Sequence, residues 1–182
     1  IPLATPEHKE QFKQDLATCL EQFEPIFLHH YGQGLCEKMG LPHFHKDSLD
    51  CSFAFLRILQ TEQLDYTQSF IRLQNKEYKT LRDDCLDLRQ FDAFLHQYQE
   101  IRKTQDTDEL DRVMQSANPH YILRNHMAQK AIELAERGDF SEVERLFKLL
   151  NQPYLKQPDL ETEQDTAPLP SDVPEIMVSC SS

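Results

Sequence analysis

The sequence predicts an all-α fold, and two observations lead to that prediction. Apolar residues recur three or four positions apart along most of the chain, and no stretch shows the sustained alternation of a strand. Glycine occurs only 4 times in 182 residues and tryptophan is absent. We expect an irregular helical bundle with a C-terminal helical hairpin and an extended proline-rich tail. Residues 1–150 would form a helical domain of a larger protein, and residues 151–182 an extended or disordered tail.

The N-terminal quarter of the chain predicts a helical stripe interrupted by a proline. Thr5 is a capping residue and Pro6 a favourable first helical residue. Pro25 predicts either a kink or the start of a second helix, and Gly40 with Pro42 marks the end. The apolar positions of the stripe are Phe12, Leu16, Leu20, Phe23, Phe27, Tyr31, Leu35 and Met39.

The central part predicts further helices. Asp47 is expected to cap a helix whose Leu49, Phe53 and Leu56 face the core. Residues 76–89 are highly charged and predict no clear element. Other stripes at helical spacing are Tyr66, Phe70 and Leu73; Phe91, Phe94, Leu95 and Tyr98; and Leu110, Val113, Met114 and Ala117.

A helical hairpin is predicted near the C-terminus. Asn118 and Pro119 repeat the pattern of a cap followed by proline and are expected to open a helix that Gly138 ends. Asp139 with Glu142 resembles a capping box for the next helix. The two faces are Leu123, Met127, Ala131 and Leu134, then Val143, Leu146, Phe147 and Leu150. The hairpin also resembles one tetratricopeptide unit, but the chain contains no second copy at a fixed period, which favours a single hairpin in a bundle.

Charge and cysteine content limit the classes of partner. The formal net charge is −12, and the 19 Lys and Arg residues are scattered among acids, so we expect neither nucleic acid nor a membrane surface as a partner. No apolar run reaches the length of a membrane helix, and no secretory signal is visible. Five cysteines without C-x-x-C spacing favour the reducing cytosol. The missing initiator Met is consistent with a piece of a longer protein.

Phosphate-binding and metal-binding motifs are weak. Gly32-Gln33-Gly34 lacks the third glycine of a nucleotide loop and lies within a helical stripe, so a helix is the preferred interpretation. His43 and His45 form a close histidine pair with Cys36 and Cys51 nearby in sequence. A zinc site and exposed loop histidines both remain open, although no second paired cluster is present.

Two other groups of polar residues have a structural and a functional interpretation. The adjacent His29 and His30 point about 100° apart on a helix and do not easily share a metal. Asp83, Asp84 and Asp87 would bind a cation if one helical face presented all three, whereas a solvated charged surface is the more common arrangement.

The cysteines divide into one terminal residue and four others. Cys19 lies among apolar residues of a helix and is expected to be buried and inert. The residues around Cys36, Cys51 and Cys85 give no sign of reactivity. Cys180, three residues from the end of the sequence, is expected to be an exposed free thiol, and residues alone leave open whether it has a function.

Several segments, taken in order, resemble the C-terminal region of the selenoprotein O (SelO, YdiU) family of protein adenylyltransferases. These segments are EKMGL (37–41), DYTQSFIRLQ (65–74), NPHYILRN (118–125), AIELAERGDFSEVERL (131–146), NQPY (151–154) and the terminal VSCSS. The resemblance implies a whole protein with a kinase-like fold that binds ATP and Mg²⁺ or Mn²⁺. Such proteins transfer AMP to Ser, Thr or Tyr of protein substrates. It also implies a cytoplasmic protein in bacteria or a mitochondrial one in eukaryotes.

The family's catalytic motifs belong to its N-terminal part, so the resemblance assigns no catalytic, cofactor-binding or metal-binding residue in this chain. The chain alone is expected to be inactive, with the kinase-like domain of the same protein as its partner. Cys180 occupies the position that holds selenocysteine in some members, which implies redox control through a bond to a cysteine of the catalytic part. The alternative hypothesis is a stand-alone helical interaction module without enzymatic activity.

Overall fold

The computed structural model describes residues 9–43, 45–103 and 105–167, and within these ranges it contains helices and no strand. The predicted all-α class is therefore confirmed. The predicted helix start at Thr5 and Pro6, and Cys180, lie outside the described residues. The helices are α1 (Lys9–Met39), α2 (Lys46–Thr61), α3 (Tyr66–Gln74), α4 (Tyr78–Asp83), α5 (Leu88–Lys103), α6 (Thr107–Ala117), α7 (Asn125–Ala135), α8 (Ser141–Asn151) and α9 (Glu163–Thr166).

Helix α1 is 31 residues long and continues through Pro25, so no second helix begins there. Its predicted end at Gly40 is confirmed. Gly40 adopts a positive φ of 58°, and the backbone N–H of Leu41 donates to the carbonyl of Cys36 at 2.8 Å. This left-handed cap turns the chain sharply, which places Leu41 in the core beneath the end of α1.

The predicted core face of α2 is partly correct, because Leu49 and Leu56 are half-buried and pack against the core, but Phe53 does not. The N-cap position is His45 rather than Asp47, and Phe53 is exposed. The residues that α2 buries are Ser48, Cys51, Ser52, Phe55, Ile58 and Leu59. Two serines on this face conceal the apolar period, and the Ser52 hydroxyl is accommodated because it donates to the carbonyl of Ser48 at 2.8 Å.

The main core lies between the last turns of α1 and helices α2, α3 and α5. The Phe55 ring packs on Phe94 and Phe70, with ring centroids 4.9 and 5.2 Å apart. The buried Tyr98 hydroxyl donates to the carbonyl of Met39 at 2.9 Å, which satisfies an acceptor at the end of α1. The charged stretch 76–89 contains the short helix α4.

The prediction that Asn118 and Pro119 open a helix is wrong. Asn118 ends α6 as its C-cap, residues 118–124 are not helical, and α7 begins at Asn125. The Asn118 side chain is buried, and its amide donates to the carbonyl of Lys38 at 2.8 Å. Because the amide binds the end of α1, it does not cap a following helix.

The predicted C-terminal hairpin is present as α7 and α8. Its small core contains Tyr121, Met127, Ala131, Leu146 and Leu149. Phe140, not Asp139, occupies the N-cap position of α8, and Asp139 instead accepts from the backbone N–H of Ser141 at 3.0 Å.

Residues 152–167 differ from the extended segment expected after residue 150, because they form turns and α9 beside the hairpin. Leu160 packs on the hairpin core, and Arg145 of α8 donates to the buried Asp165 at 2.7 and 2.9 Å. These contacts hold the segment in place although it is rich in proline. The division of the chain at residue 150 stays a prediction.

Candidate interaction surface

The outer segment of α1, residues 9–31, carries large apolar side chains that no other described element covers. Every side chain described in this range is exposed, whereas Leu35 and Met39 at the other end of the helix are buried. At about 100° per residue, seven of the large exposed apolar residues of this segment fall within an arc of roughly 140°, and the exposed Leu28 lies outside it. This apolar arc consists of Phe12, Leu16, Leu20, Phe23, Ile26, Phe27 and Tyr31.

Aromatic rings connect the apolar arc to α2. The ring centroids of Phe23 and Phe27 are 5.9 Å apart, those of Phe27 and Tyr31 are 5.6 Å apart, and both pairs are stacked. Tyr31 then meets the exposed Phe53 of α2 at 6.5 Å. The misassigned α2 residue Phe53 is thus part of a continuous aromatic surface rather than part of the core.

A helix with this surface needs a partner. Helices in proteins gain most of their stability from tertiary packing of an apolar face, and Pro25 removes one backbone hydrogen bond from the middle of α1. Contiguous exposed apolar surfaces of this kind mark interaction sites in soluble proteins. The opposite side of the outer segment carries polar residues such as Gln14 and Glu21, so burial of the arc leaves a solvated face outside.

The prediction that Cys19 is buried is wrong, because Cys19 is exposed on the apolar arc between Leu16 and Phe23. Sequence periodicity correctly indicated an apolar face but not whether this chain covers it. Cys36, Cys51 and Cys85 are buried free thiols. Burial raises the pKa of the Cys36 thiol. It also raises the pKa of Cys51 to about 12 and the pKa of Cys85 to about 11, so these thiols stay protonated and unreactive.

The candidate metal ligands are not brought together. No three His, Cys, Asp or Glu side chains form a possible metal site in the part of the chain that is described. His43 lies beside Glu37, with Nε2 at 3.8 Å from the carboxylate. Cys36 and Cys51 face the interior, away from the loop that carries His45. Gly32-Gln33-Gly34 lies within α1, as its helical interpretation predicted.

The three aspartates have separate structural roles. Asp83 ends α4, and Asp84 forms an ion pair with Arg72 of α3. The Asp87 carboxylate accepts from the backbone N–H groups of Arg89 and of its neighbour Gln90, both at 3.1 Å. They do not share a helical face, because α4 ends before Asp87. His29 and His30 lie on the outer segment of α1 with their rings nearly perpendicular.

Two residues of the NPHYILRN segment connect parts of the fold that lie far apart in the sequence. Arg124 donates to both carboxylate oxygens of Asp65 at 2.7 and 3.1 Å. Tyr121 accepts from the backbone N–H of Gln157 at 2.8 Å and donates to Glu161. Burial, with the bond to Glu161, raises the pKa of Tyr121 to about 12. Sequence analysis assigned these residues no role, although both lie in NPHYILRN.

The fold and these segments agree with comparison to known proteins. The family model described as "Protein adenylyltransferase SelO" matches residues 8–151. The chain therefore belongs to the SelO family.

Curated relatives of the chain carry the name protein nucleotidyltransferase YdiU. The protein from Pectobacterium atrosepticum is 38% identical over 174 residues, which cover 92% of this chain and 35% of the relative. The relative from Yersinia pseudotuberculosis is 34% identical with the same coverage, and that from Pseudomonas fluorescens is 36% identical over 84% of this chain and 33% of its own length. The chain thus spans about a third of the length of these relatives. No described helix is long and apolar enough to cross a membrane.

Proposed function

We propose that this chain is the helical C-terminal region of a SelO-type protein adenylyltransferase and that it packs on a kinase-like domain of the same protein. In this proposal the whole protein binds ATP with Mg²⁺ or Mn²⁺ and transfers AMP to hydroxyl groups of protein substrates. The chain contributes no catalytic residue. Family membership supports the activity, and the coverage of about a third of each relative supports the presence of a further domain.

The apolar arc of α1 is the observation that carries the packing role. Full burial of a large apolar side chain contributes about 1.5–3 kcal/mol, and these seven are already about half covered, so packing of the arc adds roughly half of that for each and still favours a lasting contact within one protein. The arc also belongs to the helix that is nearest to the start of the chain. A domain that precedes residue 1 in the polypeptide is therefore well placed to cover it.

Cys19 provides a direct test because it is a natural reporter on the apolar arc. In this chain alone, brief alkylation should label Cys19 rapidly, since the side chain is exposed. In the whole protein, labelling of Cys19 should be slower by at least about tenfold if the kinase-like domain covers the arc.

A cysteine on the other side of the same helix is the matched control. Gln14 lies opposite the arc, so Gln14→Cys in a Cys19→Ser background should be labelled equally fast in the chain and in the whole protein. Equal labelling of Cys19 in both would exclude packing through the arc. It would favour the alternative of an interaction module, whose partner is another protein.

Redox control through Cys180 is part of the same proposal. By exchange with a small-molecule disulfide, which is reduced to two thiols, the thiol near the end of the chain would form a disulfide with a cysteine of the catalytic part and restrain it, and a reductant would release it. In the whole protein, Cys180→Ser should abolish any dependence of AMP transfer on reductant. An unchanged dependence would remove Cys180 from the mechanism.

The absence of catalytic residues from this chain is tested separately. The chain should be incubated with labelled ATP, Mg²⁺ or Mn²⁺ and a protein substrate, and the whole protein should serve as the positive control. AMP transfer by the chain alone would contradict the proposal that the catalytic residues lie in another part of the protein.

A further inference from the structure

A cleft of about 540 Å³ lies where the bundle meets the segment that follows the hairpin. Its walls come from the end of α3, from one face of α6, and from residues 154–156. This volume falls within the range of small-molecule binding sites. A smaller cleft of about 230 Å³ shares His120, Lys156 and Asn75 with it, so the two are adjacent lobes of one depression.

The larger lobe is cationic although the chain is strongly acidic. Acidic residues outnumber basic ones by 31 to 19 in the sequence, yet no Asp or Glu lines this lobe. Arg112 and Lys156 line it together with His120. Burial, and then the charge of Lys156, lowers the pKa of His120, and the charge of Glu161 opposes this in part. Such a lobe attracts anions.

Two carboxylates beside the larger lobe, Glu109 and Glu161, already have partners within the described structure. Glu109 forms an ion pair with Arg112 at 3.2 Å, but both side chains are more than half exposed, so the pair is weak. Glu161, at the edge of the smaller lobe, accepts the hydroxyl of Tyr121. An incoming anion therefore competes only with an exposed pair for the guanidinium of Arg112.

The smaller lobe differs in chemistry because it contains carboxylates. Glu77 and Glu161 line it together with Arg72 and Lys156, and Glu77 accepts from the amide of Asn75 at 3.0 Å. Carboxylates in binding sites accept hydrogen bonds from sugar hydroxyl groups, as the acidic residue of dinucleotide sites does. A cationic lobe next to an acceptor lobe is suited to a ligand with a phosphate at one end and hydroxyl groups at the other.

We propose that this depression binds a small phosphate ester that carries hydroxyl groups, either a sugar phosphate or a nucleotide. Arg112 and Lys156 bind the phosphate oxygens, and Glu77 accepts hydrogen bonds from the hydroxyl groups. Arginine forms paired hydrogen bonds to phosphate, and lysine adds a mobile point charge. The site lies where the bundle meets the segment that follows the hairpin, so an occupied cleft would also hold these two parts together.

The test uses ribose 5-phosphate as the probe and ¹⁵N-labelled chain at low salt, with binding followed by NMR titration of the Gln115 and Asn75 side-chain amides. The double variant Arg112→Gln, Lys156→Gln should bind at least about tenfold more weakly than the parent chain. The control Lys79→Gln, Lys148→Gln removes the same charge elsewhere and should keep the parent affinity within about twofold. Equal weakening of both variants would indicate general electrostatic attraction and overturn the proposal.

Additional binding measurements test the role of each lobe and distinguish a nucleotide ligand from a sugar phosphate. Glu77→Gln should weaken ribose 5-phosphate but not inorganic phosphate, and ribose alone should not bind. If AMP binds at least as tightly as ribose 5-phosphate, the natural ligand is a nucleotide. If AMP binds more weakly, the natural ligand is a sugar phosphate. The absence of saturable ribose 5-phosphate binding below about 10 mM would overturn the proposal. The proposal would also be overturned if a synthetic peptide of residues 168–182 displaced ribose 5-phosphate and bound more tightly than it, since the ligand would then be an acidic peptide.

Discussion

The guanidinium of Arg124 forms two hydrogen bonds with the carboxylate of Asp65, at 2.7 and 3.1 Å, and both side chains are largely buried. Asp65 is also the N-cap of α3, where it accepts from the backbone N–H of Gln68 at 2.8 Å. The pair therefore links the segment that leads into α7 to the start of α3. It connects two of the segments, DYTQSFIRLQ and NPHYILRN, by which the family resemblance was first apparent.

Removal of the Arg124 side-chain charge should destabilise the fold strongly. In Arg124→Met the Asp65 carboxylate stays buried without its cation, and loss of one partner of a buried pair costs about 3 kcal/mol or more. Urea unfolding of the chain measures the change. The control is Arg82→Met, which removes a comparable two-bond pair to Asp92 at the surface and should have a much smaller effect. Similar losses in both variants would contradict a special role for the buried pair.

The same pair predicts loss of stability in acid. Burial raises the pKa of Asp65, but the hydrogen bond and charge of Arg124 and the backbone N–H groups of Gln68 and Thr67 more than offset this, so the pKa is lowered overall. A carboxyl with a lowered pKa in the folded state stabilises the protein above its unfolded pKa and ceases to do so as pH falls through the folded pKa. Unfolding free energy should therefore decrease below about pH 4. In Asp65→Asn this part of the acid dependence should be smaller, and an unchanged profile would assign it to other carboxylates.

Gly40 is a second position at which a small change should have a large effect. Its φ is +58°, and a Cβ there would lie 2.3 Å from Nη1 of Arg102 and 3.1 Å from the carbonyl oxygen of Leu110. Gly40→Ala should therefore cost at least about 2 kcal/mol, because backbone strain adds to displacement of a buried guanidinium. Gly34→Ala is the control, since a Cβ at this helical site meets nothing within 4 Å. It should stabilise the chain by up to about 1 kcal/mol, as measured by thermal or urea unfolding.

Local sequence patterns predicted the helices better than they predicted which faces are buried. Gly40 ends α1 as expected, because a left-handed cap depends on one residue and its neighbours. The centre of the buried face of α2 was missed because the polar Ser48 and Ser52 occupy buried positions, where the Ser52 hydroxyl donates to the backbone carbonyl of Ser48. Asn118 was misassigned because its amide binds the end of α1, 80 residues earlier in the chain.

The candidate surface shows the same limit. Phe23 and Phe27 have the spacing of core residues, and no local signal distinguishes a core inside this chain from one completed by another domain. Arg124 and Asp65 lie 59 residues apart, so their pairing depends on the tertiary fold. The cationic cleft was also missed, because Arg112 and Lys156 are isolated basic residues in the sequence and line one cleft only when α6 lies beside the segment that follows the hairpin.

When the chain is studied alone, the backbone amides in the outer segment of α1 should be less protected from hydrogen exchange than those in the rest of α1. Its backbone hydrogen bonds are exposed, and Pro25 leaves the carbonyl of Glu21 without its helical donor. Amides of residues 12–24 should exchange with solvent much faster than those of residues 32–39, which pack on α2 and α6. Hydrogen exchange followed by NMR or mass spectrometry measures this difference. Equal protection along α1 would mean that the outer segment is already stabilised, and the apolar arc would then need no partner.

Pro25→Ala should strengthen the outer segment of α1 without touching the core. The substitution restores a backbone donor to the carbonyl of Glu21 and removes the steric conflict of the ring, an effect of about 3 kcal/mol in a helix interior. Protection of residues 12–24 should rise by at least about tenfold, with a matching increase in helical circular dichroism. The amides of α5 provide the internal control, because they should not change. If protection of the outer segment did not rise, the exposed apolar arc rather than Pro25 would limit the stability of this helix. Protection would then rise only when a further domain covers the arc.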